Sequence, residues 1–328
     1  MRRKNLILLV LAVLLCGGAW ARGGYVISPK NAEYVLTAED LRYAVSFLTD
    51  SLSAGRGTGT IGSQKVIGWI GENFASCGLR KAGPSWYDGF RTPSGRVGHN
   101  VMGAYPGTGS GWVIVMAHFD HIGMLRGALY PGADANASGV ASLLSIAKML
   151  RRMSEVGRHY GKSVLFVALD GKEQGLSGSA ALWKQLEYGM LKDPRDGSAI
   201  FPKDVALVVN IDQVGSTLSP LHPGRSDYLM MLSDPSDGHR GALESANRVS
   251  GLGLDLAFDY YGSRDFTTLF YRRINDQKVF LDHGVPAVMF TSGITFNNNK
   301  PTDTASTLDY TILRRRIILI FHYLSRIL

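Results

Sequence analysis

Beyond residue 30 the apolar positions of this chain recur with two different periods. From Ala38 to about Leu52, and again from Ser63 to Cys77, they return every three or four residues, the spacing of an amphipathic helix. Thr37 and Asp40 form a capping box ahead of the first of these. The glycine-rich turn Gly55-Arg56-Gly57-Thr58-Gly59-Thr60 separates the two helices. Asn100 to Tyr105 and Trp112 to Ala117 read as strands around the turn Pro106-Gly107-Thr108-Gly109.

A strand–helix alternation follows. Ala137 to Met153 is helical by its apolar spacing, Ser163 to Leu169 a buried strand, Ser177 to Leu191 helical, and Val205 to Ile211 a near-continuous apolar strand. Tyr228 to Leu232 and Ala287 to Phe290 are further strands, and Leu308 to Ile327 is a long final helix. Strands that are apolar at almost every position belong to a sheet covered on both faces. The alternation therefore predicts an α/β protein, a three-layer sandwich with a mostly parallel central sheet. No repeat or low-complexity linker interrupts it, so residues 22–328 are expected to form a single domain.

Residues 1–21 have a different character. Arg2, Arg3 and Lys4 precede an unbroken apolar run from Leu6 to Cys16, and Ala19-Trp20-Ala21 sets small residues at cleavage spacing. This is the pattern of a signal peptide, and the run is short for a membrane span. Export to the periplasm or the medium is the expectation, with no stable membrane span after cleavage; an uncleaved anchor is the alternative. Bulky Leu15 argues against a lipid anchor on Cys16.

Composition changes this picture little. The 328 residues are 19% charged and 45% hydrophobic, ordinary values for a globular protein. The formal charge of +8 falls by three, to +5, once the leader is removed. That excess is dispersed, and its densest piece, Arg314-Arg315-Arg316, reads as a solvated helix face; nothing here is a nucleic-acid signature. Cys77 is left as the one cysteine, a small buried packing residue by its place in a helix.

Candidate chemistry gathers where strands end, the edge at which open α/β sheets bind ligands. Trp112–Ala117 runs into His118-Phe119-Asp120-His121. Ser163–Leu169 runs into Asp170-Gly171-Lys172-Glu173-Gln174, and Val205–Ile211 into Asp212-Gln213. Between the first two lies Pro131-Gly132-Ala133-Asp134-Ala135-Asn136-Ala137-Ser138-Gly139. Each cluster alone is more simply a surface hydrogen-bonded pair, a cap or a turn; their recurrence in order at strand ends carries the weight. Gly178-Ser179 lacks the flanks of a nucleophile elbow, and Asp237 and His239 lie in a polar stretch that reads as a turn and helix cap.

Taken with Gly175-Leu176-Ser177-Gly178-Ser179, Asn210-Ile211-Asp212, Asp282-His283-Gly284-Val285-Pro286-Ala287 and Pro301-Thr302-Asp303-Thr304, these segments resemble the co-catalytic zinc aminopeptidases, a family that includes glutaminyl cyclases. The resemblance implies a zinc exopeptidase-like fold and two zinc ions roughly 3.5–4 Å apart, sharing a bridging carboxylate. It also implies a glutamate general base acting on bound water and peptides or protein N-termini as partners. Position by position, it makes His118 and Asp212 ligands of one zinc and Glu173 a ligand of the other, with Asp120 orienting His118 from behind.

Other positions depart from the pattern. Ala135 stands at the bridging aspartate, Lys172 at the general base and Asn299 at the last histidine, and Gln277 stands where many members carry a histidine. Catalytic zinc takes three protein ligands, and neither site reaches three, so zinc binding is doubtful. Asp134, His121, His222 and His283 are the candidates to replace a lost ligand. Lys172 suggests another outcome: its ammonium can replace the zinc charge by pairing with Glu173 or Asp212, or it can turn outward. The functions in play are an inactive or weakened peptidase relative with a peptide-holding cleft, a metallohydrolase with a rearranged or single-metal site, and a structural or partner-binding protein on this fold.

Overall fold

The computed structural model describes residues 27–217 and 225–328. The leader sequence and His222 lie outside them. Ten strands run in order: β1 Tyr87–Arg91, β2 Val97–Tyr105, β3 Trp112–His118, β4 Gly123–Leu125, β5 Ala128–Tyr130, β6 Ser163–Leu169, β7 Val205–Ile211, β8 Tyr228–Leu232, β9 Asp255–Ala257 and β10 Ala287–Thr291. β4 and β5 make a separate hairpin; the other eight form one sheet in the order β1-β2-β6-β3-β7-β10-β8-β9. The central four, β6, β3, β7 and β10, are parallel. The joins β1–β2, β2–β6 and β10–β8 are antiparallel.

Alternation along a strand sends successive side chains to opposite faces. Val113, Val115 and Ala117 of β3 pack into one core, Ile114 and Met116 into the other. The first core is closed by helices α1 Ala38–Thr49, α2 Ile61–Ser76 and α3 Ser138–Glu155. The second is closed by α4 Ser177–Glu187, through Leu182 and Leu186. Farther along the chain come α5 His239–Ser250, α6 Arg264–Arg272, α7 Gln277–Asp282 and α8 Tyr310–Ile327. α5 and α8 join the first core and Phe280 of α7 the second. The three layers with a mostly parallel sheet are those the hydrophobic pattern predicts. No helix among the described residues is long and apolar enough to cross a membrane.

Local chemistry sets the ends of these elements. The Thr37–Asp40 capping box opens α1. α4 stops at Glu187 rather than Leu191, because Gly189 takes a positive φ of 60° just beyond it. α8 begins at Tyr310, where Asp309 accepts from the backbone N–H of Thr311 and Ile312. Asp237 accepts from the His239 N–H at the start of α5, the cap expected of that polar stretch. Cys77 is half-buried against the first core.

One expectation fails outright. The Arg314–Arg316 run is not a solvated face. Arg316 is completely buried and donates to the carbonyls of Val214 at 2.8 Å and Ser216 at 2.6 Å, pinning the loop after β7. Arg314 donates to Leu36 and Glu33 carbonyls, and Arg315 to that of Leu252. Consecutive residues on a helix point in different directions, so one of three arginines must face inward once both flanks of α8 are covered. Arg316→Ala is expected to lower the unfolding free energy by about 3 kcal/mol or more, since it leaves buried carbonyls without donors. A loss below about 1 kcal/mol in chemical denaturation contradicts this role.

Candidate functional site

The three polar clusters meet because β6, β3 and β7 are neighbours with aligned ends. His118 pairs with Leu169 across one join, and Met116 with Asn210 across the other. His118 and Asp212 are thereby brought side by side, with the turn after β6 above them.

That turn is held by one carboxylate. Asp120 is fully buried and accepts the backbone N–H of Lys172 at 3.0 Å and of Glu173 at 3.0 Å. Burial opposes its charge, but His118 and these two N–H groups hold its pKa below the usual carboxylate value. Gly171, at φ +71°, makes the turn, and Gly178 approaches Asp170 so closely that a Cβ there would lie 2.0 Å from its carbonyl oxygen. Asp170 accepts from Thr58 Oγ1 at 2.8 Å and the His99 N–H at 3.0 Å.

The turn places Lys172 inward. Its Nζ lies 2.7 Å from Asp212 Oδ2 and 3.0 Å from His118 Nε2, and His118 Nε2 lies 3.3 Å from Asp212 Oδ1. Burial works against the lysine charge. Asp212, and then Asp276, outweigh it and raise the pKa above the ordinary lysine value. For Asp212 burial is likewise overcome, here by the Lys172 ammonium, which holds its carboxyl well below the usual range. On His118, burial and Lys172 oppose a charge while Asp212 and Asp120 favour one. Contact geometry decides for the neutral ring, because an imidazolium 3.0 Å from an ammonium would be repelled. Nδ1–H then donates to the Asp120 carbonyl at 3.1 Å, and Nε2 accepts from Lys172.

The remaining expected residues stand elsewhere. Glu173 is exposed, and the ion pair of Lys172 is with Asp212. Asp134 does not swing in: its carboxylate accepts the Gly215 N–H at 2.8 Å and Ser138 Oγ at 3.1 Å. Ala135 is buried, and the Ala135–Asn136 peptide is cis. Asn299 is exposed. Gln277 is a structural residue, accepting from Asn210 and donating to the Phe270 and Tyr271 carbonyls. His121 is buried and kept neutral, its pKa pushed down to about 3 by burial and Arg56, and neither ring nitrogen has a partner among the described residues. His283 is exposed and stacks on Trp183.

Two residues that sequence reasoning passed over matter here. Arg56 is fully buried and donates to four carbonyls, those of Phe119, Leu48, Pro131 and Gly132, at 2.6–2.8 Å. It ties the end of β3 to the loop carrying Asp134 and Ala135. Asp276 is fully buried behind Lys172 and His118, with the Ser179 hydroxyl as its near donor, in a contact that falls short of full hydrogen-bonding geometry. Burial raises its pKa to about 6, against the pull of Lys172 and of the Ser179 hydroxyl. Its signal was the triplet Asn275-Asp276-Gln277, read only for its glutamine.

A family model, that of peptidase family M28, matches residues 100–324, and the chain belongs to that family. It is 23% identical over 309 residues to the Escherichia coli protein YfbL, covering 86% of this chain and 85% of that one. A zinc aminopeptidase from Bacillus subtilis superposes with a TM-score of 0.65 at 13% identity, over 89% of this chain and 95% of that one. The glutaminyl cyclase of Porphyromonas gingivalis gives 0.65 at 17% identity, over 89% and 99%. At these identities the two structures establish the fold.

The family implies zinc, and the residues at this place do not fit it. Only His118 and Asp212 of the matching ligands come together, and an ammonium sits against both. Among the described residues no group of three His, Cys, Asp or Glu side chains is placed to hold a metal ion.

The loop opposite is braced by Asp303, which accepts the N–H of Asp134 at 2.9 Å and of Ala135 at 3.1 Å. Burial and the nearby Asp134 raise its pKa to about 6. Ionising it therefore costs more in the folded than in the unfolded chain, and its contribution to stability declines as pH rises from about 4 to about 6. Denaturation of the parent and Asp303→Asn across that window should show the parent losing stability relative to the variant as pH rises. Parallel curves would contradict the assignment.

Proposed function

We propose that this chain is an exported, non-hydrolytic member of peptidase family M28 that binds peptide or protein amino termini without cleaving them. The Lys172 ammonium carries the reading, seated 2.7 Å from Asp212 and 3.0 Å from His118. His118, Glu173 and Asp212 are then the remains of a ligand set, with Ala135 and Asn299 at lost ligand positions. Lys172 takes the place of the general base. A lysine held in its charged form cannot accept a proton from water, and its charge repels a dication.

Binding of an amino terminus is supported by Glu173, exposed one residue beyond Lys172, whose carboxylate suits an α-ammonium group. Export is supported by the basic, apolar and small residues in succession at Arg2–Lys4, Leu6–Cys16 and Ala19–Ala21. An uncleaved leader would make the protein membrane-anchored with the same site.

The protein expressed from residue 22 should carry far less than one zinc per chain and show no chelator-sensitive turnover of aminoacyl amides. Stoichiometric zinc with such turnover overturns the reading. The triple variant Lys172→Glu, Ala135→Asp, Asn299→His should gain zinc; binding no more than the parent would show that these positions do not block the metal. A peptide with a free amino terminus should bind more tightly than its acetylated form, and equal affinity removes the proposed ligand.

A further inference from the structure

We infer that the cup made by His118 and Asp212, with Asp276 behind, is a receptor for a primary alkylammonium group, filled in the native chain by the side chain of Lys172. The inference rests on the reading that an ammonium rather than a metal occupies this place, and it adds a ligand class and a structural role.

Three observations converge. The geometry around Nζ is that of a bound ammonium: a carboxylate oxygen at 2.7 Å and an imidazole nitrogen at 3.0 Å, both on buried residues. An ammonium has three N–H donors, and these contacts engage two of them. Asp276, fully buried from water and within the field of this cation, has only the Ser179 hydroxyl as a nearby donor, and that contact falls short of full hydrogen-bonding geometry. Buried acceptors without partners are rare in folded proteins and call for an explanation. A cation held in the cup supplies one for Asp212 by contact and for Asp276 by charge.

The surrounding frame keeps the cup in shape independently of the lysine side chain. Asp120 fixes the turn through the backbone of Lys172 and Glu173. Asn136 joins β3 to β7 by donating to the Ile211 carbonyl at 2.9 Å and to that of His118 at 3.4 Å. Truncating Lys172 therefore removes the cation and leaves the walls. Asp212 loses its cation and keeps only the His118 ring, 3.3 Å away, which destabilises, and a vacancy of about three carbons and one ammonium opens beside it.

The test is chemical rescue of Lys172→Ala, read by thermal unfolding. The variant should unfold about 5–10 °C below the parent. Propylammonium, which replaces the deleted atoms, should raise its midpoint saturably while leaving the parent unchanged, as a ligand of the folded state does. Propanol, which lacks the charge, and tetramethylammonium, which lacks the N–H donors, should do neither. If Lys172→Ala alone does not fold, Lys172→Ala/Asp212→Asn should fold better than it, because the unpaired charge is gone. An unchanged midpoint in Lys172→Ala, equal rescue by tetramethylammonium, or no gain from adding Asp212→Asn overturns the inference. So does stabilisation of Lys172→Ala by zinc but not by propylammonium, which would make the cup a metal site. Zinc in the parent, by contrast, bears on the functional reading.

Discussion

A positive charge held against the buried His118 and Asp212 is the constraint on which the rest of this site depends. Carboxylates at the ends of adjacent parallel strands cannot be left in a low-dielectric interior without a counter-charge. In this chain the counter-charge is covalently attached. Lys172 reaches Asp212 at 2.7 Å from a turn whose backbone is itself hydrogen-bonded to Asp120. In the function proposed above, the same ammonium repels a dication and takes the place of the general base.

The frame around that charge is intact. Arg56 joins the end of β3 to the Pro131–Gly132 loop through four carbonyls. Asp303 fixes the backbone at Asp134 and Ala135, and Asn136 also accepts from the N–H of Gly139 and of Gln213. These contacts are made largely to main chain, so they depend on the path of the chain rather than on what the site does. The architecture of the family can therefore be held by these contacts whatever side chains line the site.

The sequence made the central sheet legible because β3, β6 and β7 are apolar at nearly every position, and only a doubly covered sheet needs that. It also made His118, Asp120, Lys172 and Asp212 legible, since each follows such a strand. The edge strand β1 was not visible: only every second residue of Tyr87–Arg91 is even half-buried, and Gly89 interrupts it. Helices α5 to α7 were missed because they bury few residues each, Leu243, Ala246 and Ser250 in α5 and Tyr271 alone in α6. The orientations of Asp134 and Arg316 depend on partners more than 75 residues away, Gly215 and Val214, which no local pattern reports. Asp276 was hidden for a related reason: its importance is its burial close to Lys172, 104 residues before it in the chain, which no local pattern reports.

The central claim is that an ammonium, and not a metal, lies between His118 and Asp212. X-ray diffraction from zinc-soaked crystals of the protein expressed from residue 22, collected at the zinc absorption edge, tests it most directly. The account predicts no anomalous peak within bonding distance of His118 Nε2 and Asp212, with Lys172 Nζ in contact with both. A strong peak there, with Lys172 turned outward, would contradict it.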